Sequence, residues 1–532
     1  MNWTGLKPYI SICILYVLVE FCIAPIGNYP LNDDWVLKIY VDNLLNKGWF
    51  DSPDWGGGLM LPQLFIGTFI GYLFGTNFLY LRLINIIIAM AFLIIILRFS
   101  KNDVQSLLGM LILSNVLFLQ STNNFMPDII FSLFFVWSCL VLSDVIRNRT
   151  SFSLFIVLST LCLLQKQIGL SLVMSSIVAS WFTSNRELLI RSAGLFIVHM
   201  LIVIGFGYLS KILPGFVGDA YSFMIPQLYK AVTFQDSTAI LKMVKYSLDY
   251  MLSLGFFLLP VSAFLFRFLL NIIDNKRYLF VFLVGVALLG LGVLGKYQVT
   301  GDVVPFSGNV LFNLGVGPVV LTGTGQNVIP NDFVFPQILW IILSFTSAVI
   351  FMIFAVLLLD LLRNKTRSPL PIVYLASSII YLFPYTLVYG NLRYLLPIVL
   401  LTYYMIVTEY GRSFSFNKMS IVLPVFITIV TSVLLMKTYF SFHETRNDLY
   451  HDLLAQGVNK ERIDAGFEIN QYNFVYIKGW EKSEYKGRFW HVPDDEYIFS
   501  FVALPNYNVI HRKYYKNYLT QKRIPILINR RL

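Results

Sequence analysis

Long apolar runs separated by short polar turns make up most of the chain. A helix that crosses a bilayer needs about 20 apolar residues, because every backbone polar group must find its partner inside the segment. About thirteen runs approach that length, near residues 8–26, 78–98, 104–121, 127–146, 151–165, 167–184, 188–210, 247–270, 279–295, 335–361, 371–388, 394–410 and 418–438. A further run, LPQLFIGTFIGYLFG at 61–75, is short and interrupted by glycine, and is read as a helix lying along the membrane surface. From about 440 the pattern changes to Tyr, Asn, Asp, Glu and Lys among scattered aromatics, as in IDAGFEINQYNFVYIKGW, which predicts a small mixed α/β domain. The expected organisation is an all-α polytopic membrane domain over residues 1–439, with a first outer loop at 27–77, followed by a C-terminal extracytoplasmic domain over 440–532.

Composition agrees. With 57% apolar, 16% aromatic and only 13% charged residues among 532, the chain carries more apolar surface than a soluble core hides. A net charge of +11 would suggest nucleic acid in a soluble protein, but here the Lys and Arg residues gather in short turns between apolar runs. With the N-terminus cytoplasmic and 61–75 not crossing, the inner loops hold Arg98 and Lys101, Arg147 and Arg149, Arg186 and Arg191, Lys276 and Arg277, Arg363, Lys365 and Arg367, and Arg412 and Lys418. Each is basic, as the positive-inside rule requires; counting 61–75 as a span would put the early basic loops outside. The basicity therefore reads as topology, and the expected location is the cytoplasmic membrane with the C-terminus outside. Cys13, Cys22, Cys139 and Cys162 all lie in apolar runs, so no extramembrane disulfide framework is expected. The first run has the Lys7 flank of a signal peptide, but it is long for one and lacks a cleavage site, so it is read as a retained anchor.

This topology places an acidic stretch, NYPLNDDWVLKIYVDNLLNKGWF at 28–50, on the outer side, with Asp33, Asp34 and Asp42, and then Asp51 and Asp54. Other ionisable residues that interrupt apolar runs fall on the same side: Arg82 at the start of the second span, Asp128 in STNNFMPD, Lys166 in LQKQIGL and Arg393 in YGNLRYLLP. Adjacent carboxylates beside several cations suit a substrate that carries phosphate and an acceptor that must lose a proton. Each residue also has a plainer reading. Asp33 and Asp34 suit a helix N-cap, Asp128 after Pro127 suits a helix start, Arg82 and Arg393 suit snorkelling anchors, and Lys166 suits a turn. Their convergence on one side, with Trp35 and Tyr394 alongside, favours a site.

In the order and spacing of these features the chain resembles GT-C glycosyltransferases of the type that includes protein O-mannosyltransferases and the aminoarabinose transferase acting on lipid A. The resemblance rests on the acidic pair NDDW after the first helix, a surface helix ending in LFGTNFLYLRL, MPD opening a later span, the QKQIG turn, LRYLLP late in the membrane region, and an outer C-terminal domain. It departs from that type at GGGLMLPQL, where Met60 and Leu61 stand in place of a basic or His residue, and it lacks a WWDYG-type signature. The resemblance implies a sugar donor linked through one phosphate to a polyprenyl chain, and inverting transfer to an acceptor hydroxyl of a glycolipid, glycan or protein. Asp33 matches the base, with Asp34 orienting; Arg82, Lys166 and Arg393 match phosphate-holding positions; Asp128, Trp35 and Tyr394 are assigned to substrate binding. Two adjacent acids also raise one another's proton affinity, which suits a base. No nucleic-acid partner or organic cofactor is implied, and no His, Cys and acid cluster has zinc-like spacing, so no metal site is assigned, although a divalent cation stays open.

A transporter or flippase is the alternative. It would place ionisable residues near the bilayer midplane or show paired broken helices. A purely structural envelope subunit would have no use for the gathered acids and bases. The topology is directly testable: a reporter fused just beyond the last span, for example at His443, is expected to be active only when exported, and cytoplasmic activity there would overturn the sidedness of every residue named above.

Overall fold

The computed structural model describes residues 3–49, 51, 58–100, 102–213, 219–233, 235–301, 303–308, 310–312, 315–317, 321, 336–363, 368–388, 390–410, 419–474, 492 and 494–532. Asp54, Lys101, Lys365, Arg367, Arg412 and Lys418 lie outside the described residues, as do residues 475–480 of the aromatic tail stretch. In chain order the helices are α1 (Trp3–Ile23), α2 (Asp34–Lys47), α3 (Leu61–Phe74), α4 (Phe78–Phe99), α5 (Asn102–Ser114), α6 (Val116–Thr122), α7 (Asp128–Ile146), α8 (Phe152–Gln165), α9 (Leu170–Phe182), α10 (Arg186–Ile212), α11 (Asp219–Val232), α12 (Ala239–Phe257), α13 (Ser262–Asp274), α14 (Lys276–Thr300), α15 (Gln337–Arg363), α16 (Leu370–Leu387), α17 (Leu396–Met405), α18 (Met419–Ala455) and α19 (Phe467–Phe474).

Every apolar run named above falls on a helix. Among the described residues, eight helices are long and apolar enough to cross a membrane, and up to ten if each of two bent pairs is one span. The protein is therefore a multi-pass membrane protein, mostly helical, with a small C-terminal sheet. The eight are α4, α7, α10, α14, α15, α16, the segment Leu392–Tyr410 that contains α17, and α18; the bent pairs are α5 with α6, at 73°, and α12 with α13, at 48°. Both bends have a local cause. Asn115 interrupts α5 and caps α6, its Oδ1 accepting from the Leu117 amide at 2.8 Å, while Pro260 sits in the single 3-10 turn between α12 and α13. Tyr403 stands where the two bends meet, near Asn115 Nδ2 at 3.5 Å and donating to the Phe257 carbonyl at 2.5 Å. The run at 151–165 and the segments Pro8–Ile23 and Gln167–Phe182 form shorter apolar helices, as does α3.

Burial sorts the helices. Every residue of α17 is buried and α7 is buried along nearly all its length, whereas α10 and α14 bury few residues and turn apolar side chains outward on most faces. A helix that is apolar all round and little buried by protein has lipid as its remaining partner. Beyond the membrane helices, α18 runs unbroken through the expected boundary at 440 to Ala455. The sheet has strand order β3-β4-β6-β5, where β3 is Ile463–Asp464, β4 Tyr497–Ser500, β5 Tyr507–Lys516 and β6 Arg523–Arg531; β3 pairs parallel to β4 and the rest are antiparallel. A two-residue hairpin, β1 (Leu311–Phe312) with β2 (Gly315–Val316), lies in the long loop before α15. Because His443 is inside α18 and wholly buried, a reporter at the C-terminus, beyond Leu532, replaces a fusion at His443 as the sound test of sidedness.

Helix α12 meets α15 backbone to backbone at Gly255, where a Cβ would lie 2.0 Å from the Ser347 carbonyl oxygen. Small residues permit such approaches between membrane helices. Gly255→Val is expected to lower stability by about 1–3 kcal/mol or more through overpacking, read as a lower melting temperature in detergent; Gly205→Ala, with open space around its Cβ, serves as the neutral control.

Candidate active site

The site begins where the chain leaves α1. Asn32 adopts φ 54°, a left-handed conformation that Asn tolerates better than most residues, and reverses the chain into α2. The turn is closed from both directions: the Asp34 amide donates to the Leu31 carbonyl at 3.2 Å and the Leu31 amide donates to Asp34 Oδ1 at 2.8 Å. Asp34 is thus an internal tie, 1% exposed. Burial pushes its carboxyl up to about 7, against the pull of the Arg82 guanidinium and the Leu31 amide. Asp33 occupies the N-cap position of α2 but makes no side-chain capping bond. Its Oδ2 instead accepts from Arg393 Nη1 at 3.2 Å, and the side chain keeps 20% of its surface exposed.

The other acids of the stretch are handled locally. Asp42 pairs with Lys38 at 2.7 Å and Asp51 pairs with Lys47, both one helical turn apart. Asp33 and Asp34 look inward to the rest of the fold, toward Arg393 and Arg82 respectively.

Three chain segments bring the remaining groups to Asp33. Asp128 opens α7, Lys166 follows α8, and Arg393 lies in the 3-10 turn Leu392–Leu395 that leads into α17, where Asn391 Oδ1 accepts from its amide at 3.1 Å. Lys166 Nζ pairs with Asp128 Oδ1 at 2.5 Å and stands 5.5 Å from the centre of the Tyr394 ring. The Arg393 guanidinium lies 5.6 Å from the same ring, within electrostatic reach of both Asp33 and Asp128. Tyr394 in turn stacks on Tyr385 at 4.0 Å, and Tyr385 meets Tyr381 at 5.5 Å. Two carboxylates and two cations therefore alternate around an aromatic face. Such a set can accept a proton from a hydroxyl and hold an anion with charge-assisted bonds.

Two of the residues expected in the site are elsewhere. Arg82 is wholly buried and spends its guanidinium on the carbonyls of Pro25 at 3.1 Å, Gly27 at 3.3 Å and Tyr29 at 3.2 Å. It clamps the chain leaving α1 through Nη1 and Nη2, while its Nε is buried without a hydrogen-bond partner among the described residues. Trp35 is also wholly buried, its ring centre 6.4 Å from that of Phe467 on α19 in an edge-on arrangement, so it packs the loop against the C-terminal segment. Met60, where a basic group was missing, takes φ 44° at the start of α3.

Other residues support the site without having been singled out. Gln63, Gln165 and Asn85 form a buried amide network that ties α3, α8 and α4 to the loop before Asp128: Gln165 Nε2 donates to the Pro127 carbonyl at 3.2 Å and Asn85 Nδ2 to that of Asn124 at 2.6 Å. On the C-terminal side Arg446, His443 and Glu468 are buried together, and burial raises the Glu468 carboxyl despite Arg446. Isolated Gln, Asn and His residues in apolar sequence were the available signal, but periodicity does not say which of them meet. Among the described residues no group of three His, Cys, Asp or Glu is placed to hold a metal ion.

The buried Asp34 carries a pH signature. Folded, it keeps its proton to about 7, whereas an unfolded Asp loses it near 4. Between those values the folded protein binds more protons, so stability falls as pH rises through the window and the cost stays in full above it. Asp34→Asn is expected to be more stable than the parent at pH 8, by on the order of 1–3 kcal/mol, with the gap closing toward pH 4; melting curves in detergent across this range check it, and a gap that widens on acidification would contradict the burial argument.

Against family models, curated proteins and solved structures alike, the chain gives no match.

Proposed function

We propose that the protein is a membrane glycosyltransferase of GT-C type that moves a sugar from a polyprenyl-phosphate donor to an acceptor hydroxyl at the outer face of the cytoplasmic membrane, with inversion. The observation that carries this reading is Asp33, which stands at a helix N-cap, does no capping, and faces Arg393 with part of its surface open. In this scheme the acceptor oxygen attacks the anomeric carbon while the carbon–oxygen bond to phosphate breaks, its electron pair leaving with the phosphate. Asp33 takes the acceptor proton. Lys166 and Arg393 meet the charge that grows on the leaving phosphate, exchanging one oxyanion partner for another. Tyr394, flanked by both cations, offers a ring face to the sugar, and Asp34 holds the turn.

The arrangement of helix ends supports the sidedness. The acidic and cationic site gathers at one end of α4, α7 and α17, while Arg98 and Arg147 lie at the opposite ends of α4 and α7, and Arg147 there reaches Ser368 and, at 3.9 Å, Glu409. If the bent pairs and the shorter apolar helices α1, α8 and α9 all cross, the spans number about thirteen and the basic ends are cytoplasmic.

The two bent helices favour a transporter as the second reading. Their meeting point, however, is bridged by Tyr403, which contacts Asn115 and the Phe257 carbonyl. The ion pairs of the candidate site, Lys166 with Asp128 and Arg393 with Asp33, lie at helix ends instead.

Purified protein in detergent, with no gradient, is expected to consume polyprenyl-phosphate-sugar. Asp33→Asn should lower transfer by about 10²–10⁴-fold while donor binding persists. Lys166→Ala and Arg393→Ala should each lower kcat/KM by about 10–100-fold, the equivalent of ~1.5–3 kcal/mol for a charge-assisted contact. Parental transfer by Asp33→Asn sinks the mechanism, and gradient-dependent movement of a lipid without transfer favours the transporter.

A further inference from the structure

Two adjacent residues of α19, in the C-terminal segment, grip the chain on either side of the acid pair. Phe467 packs edge-on against Trp35, which follows Asp34, with ring centres 6.4 Å apart and planes at 83°. Glu468 reaches the other side through a relay of buried groups. Its Oε2 accepts from Arg446 Nη1 at 2.6 Å, and Arg446 Nη2 is hydrogen-bonded to His443 Nδ1 at 2.8 Å. The His443 ring then stacks on Tyr29 at 6.2 Å with planes 10° apart, and the Tyr29 carbonyl is one of the three that hold Arg82. Tyr29 and Trp35 bracket the turn that carries Asp33 and Asp34, so both ends of that turn are fixed from the same short helix.

The plain reading of Glu468 and Arg446 is an ion pair that docks the C-terminal segment. Stability alone is a poor reason for it, because two charges that are 0% and 1% exposed forgo their hydration, and apolar residues of similar volume commonly do as well or better in such places. What an apolar pair does not reproduce is direction: a short charged bond from Arg446 Nη1 to Glu468 Oε2 that fixes where Arg446 lies, and with it His443 and Tyr29. Tolerance at the acid pair is small, since Asp33 meets Arg393 at 3.2 Å and a general base must stand within hydrogen-bond reach of its proton.

We infer that Glu468 is a positioning residue for the proposed transfer: acting through Arg446, it holds the turn bearing Asp33 in register with Arg393. The inference rests on the glycosyl-transfer reading for its chemistry, though its geometric part stands apart from it. Among the described residues, the charged and titratable groups within electrostatic reach of the turn and of Tyr29 include Arg393 before α17, Arg82 on α4, Tyr439, His443, Glu444, Arg446 and Asp448 on α18, and Glu468 itself. Glu468 is the member contributed by α19.

The test is an apolar replacement of the pair, Glu468→Leu with Arg446→Met, alongside the single Glu468→Gln. The single variant leaves Arg446 buried without its partner and is expected to melt early; the double variant is expected to melt at or above the parental temperature. In the double variant kcat should fall about 10–100-fold with donor KM within about twofold of the parent. Hydrogen exchange at the amides of residues 31–36 should be faster than in the parent, with exchange in α7 and α17 unchanged. A well-folded double variant with parental kcat and parental exchange at 31–36 overturns the inference, as does a raised KM at parental kcat. If the parent itself transfers no sugar, the glycosyl-transfer reading fails, and the exchange measurement still decides whether Glu468 orders the turn.

Discussion

The buried guanidinium of Arg82 is the interaction on which the rest of the site depends. A charge taken wholly out of water is tolerated only when its donors are met and a counter-charge is near. Three backbone carbonyls of residues 25–29 meet Nη1 and Nη2, Nε is left without a partner among the described residues, and Asp34 lies within electrostatic reach. This arrangement bends the chain over the end of α4 and delivers the turn at 31–34 to one place. Gly27 is required there: its φ is 132°, and a Cβ would fall 2.2 Å from the Tyr29 ring. Without the clamp the first loop would have no fixed path from α1 to α2, and Asp33 no fixed distance to Arg393.

Adjacent carboxylates consequently do different work. Asp34 is internal, closes the turn and carries a raised proton affinity that costs stability above neutral pH. Asp33 is half-buried, uncommitted to its helix, and turned toward a cation. Burial decides the division, for the two residues differ in nothing else that sequence records. A parallel contrast separates the cations. Arg82 directs Nη1 and Nη2 to backbone carbonyls, whereas Lys166 and Arg393 pair with carboxylates, and the Nε of each arginine is buried without a partner among the described residues.

The site is also assembled from distant segments. α7 and α17 form the buried centre of the bundle; Asp128 and Arg393 stand at the first turn of one and just before the other, with Asp33 at the start of α2 and Lys166 at the end of α8. Rigid helices fix such positions more tightly than free loops do. The C-terminal segment adds a second anchor from above the bundle, since α18 continues without a break from the apolar run into the helix that bears His443 and Arg446.

By itself the sequence determined the class of protein and the location of its helices, because a bilayer imposes length and apolarity on every segment that crosses it, and those are read residue by residue. It also determined that polar residues collect between particular runs, and it singled out Asp33, Asp128, Lys166, Arg393 and Tyr394, which the fold brings together. Only the tertiary structure decided that Arg82 and Trp35 are wholly buried, that Asp33 does not cap its helix, and that two of the apolar runs bend. Only it revealed Glu468, which lies more than 400 positions from the turn it addresses. The physical reason is the same in each case. Whether a charged side chain spends its bonds on backbone, on a partner or on a ligand depends on what packs against it in three dimensions, and hydrophobic periodicity carries no record of that.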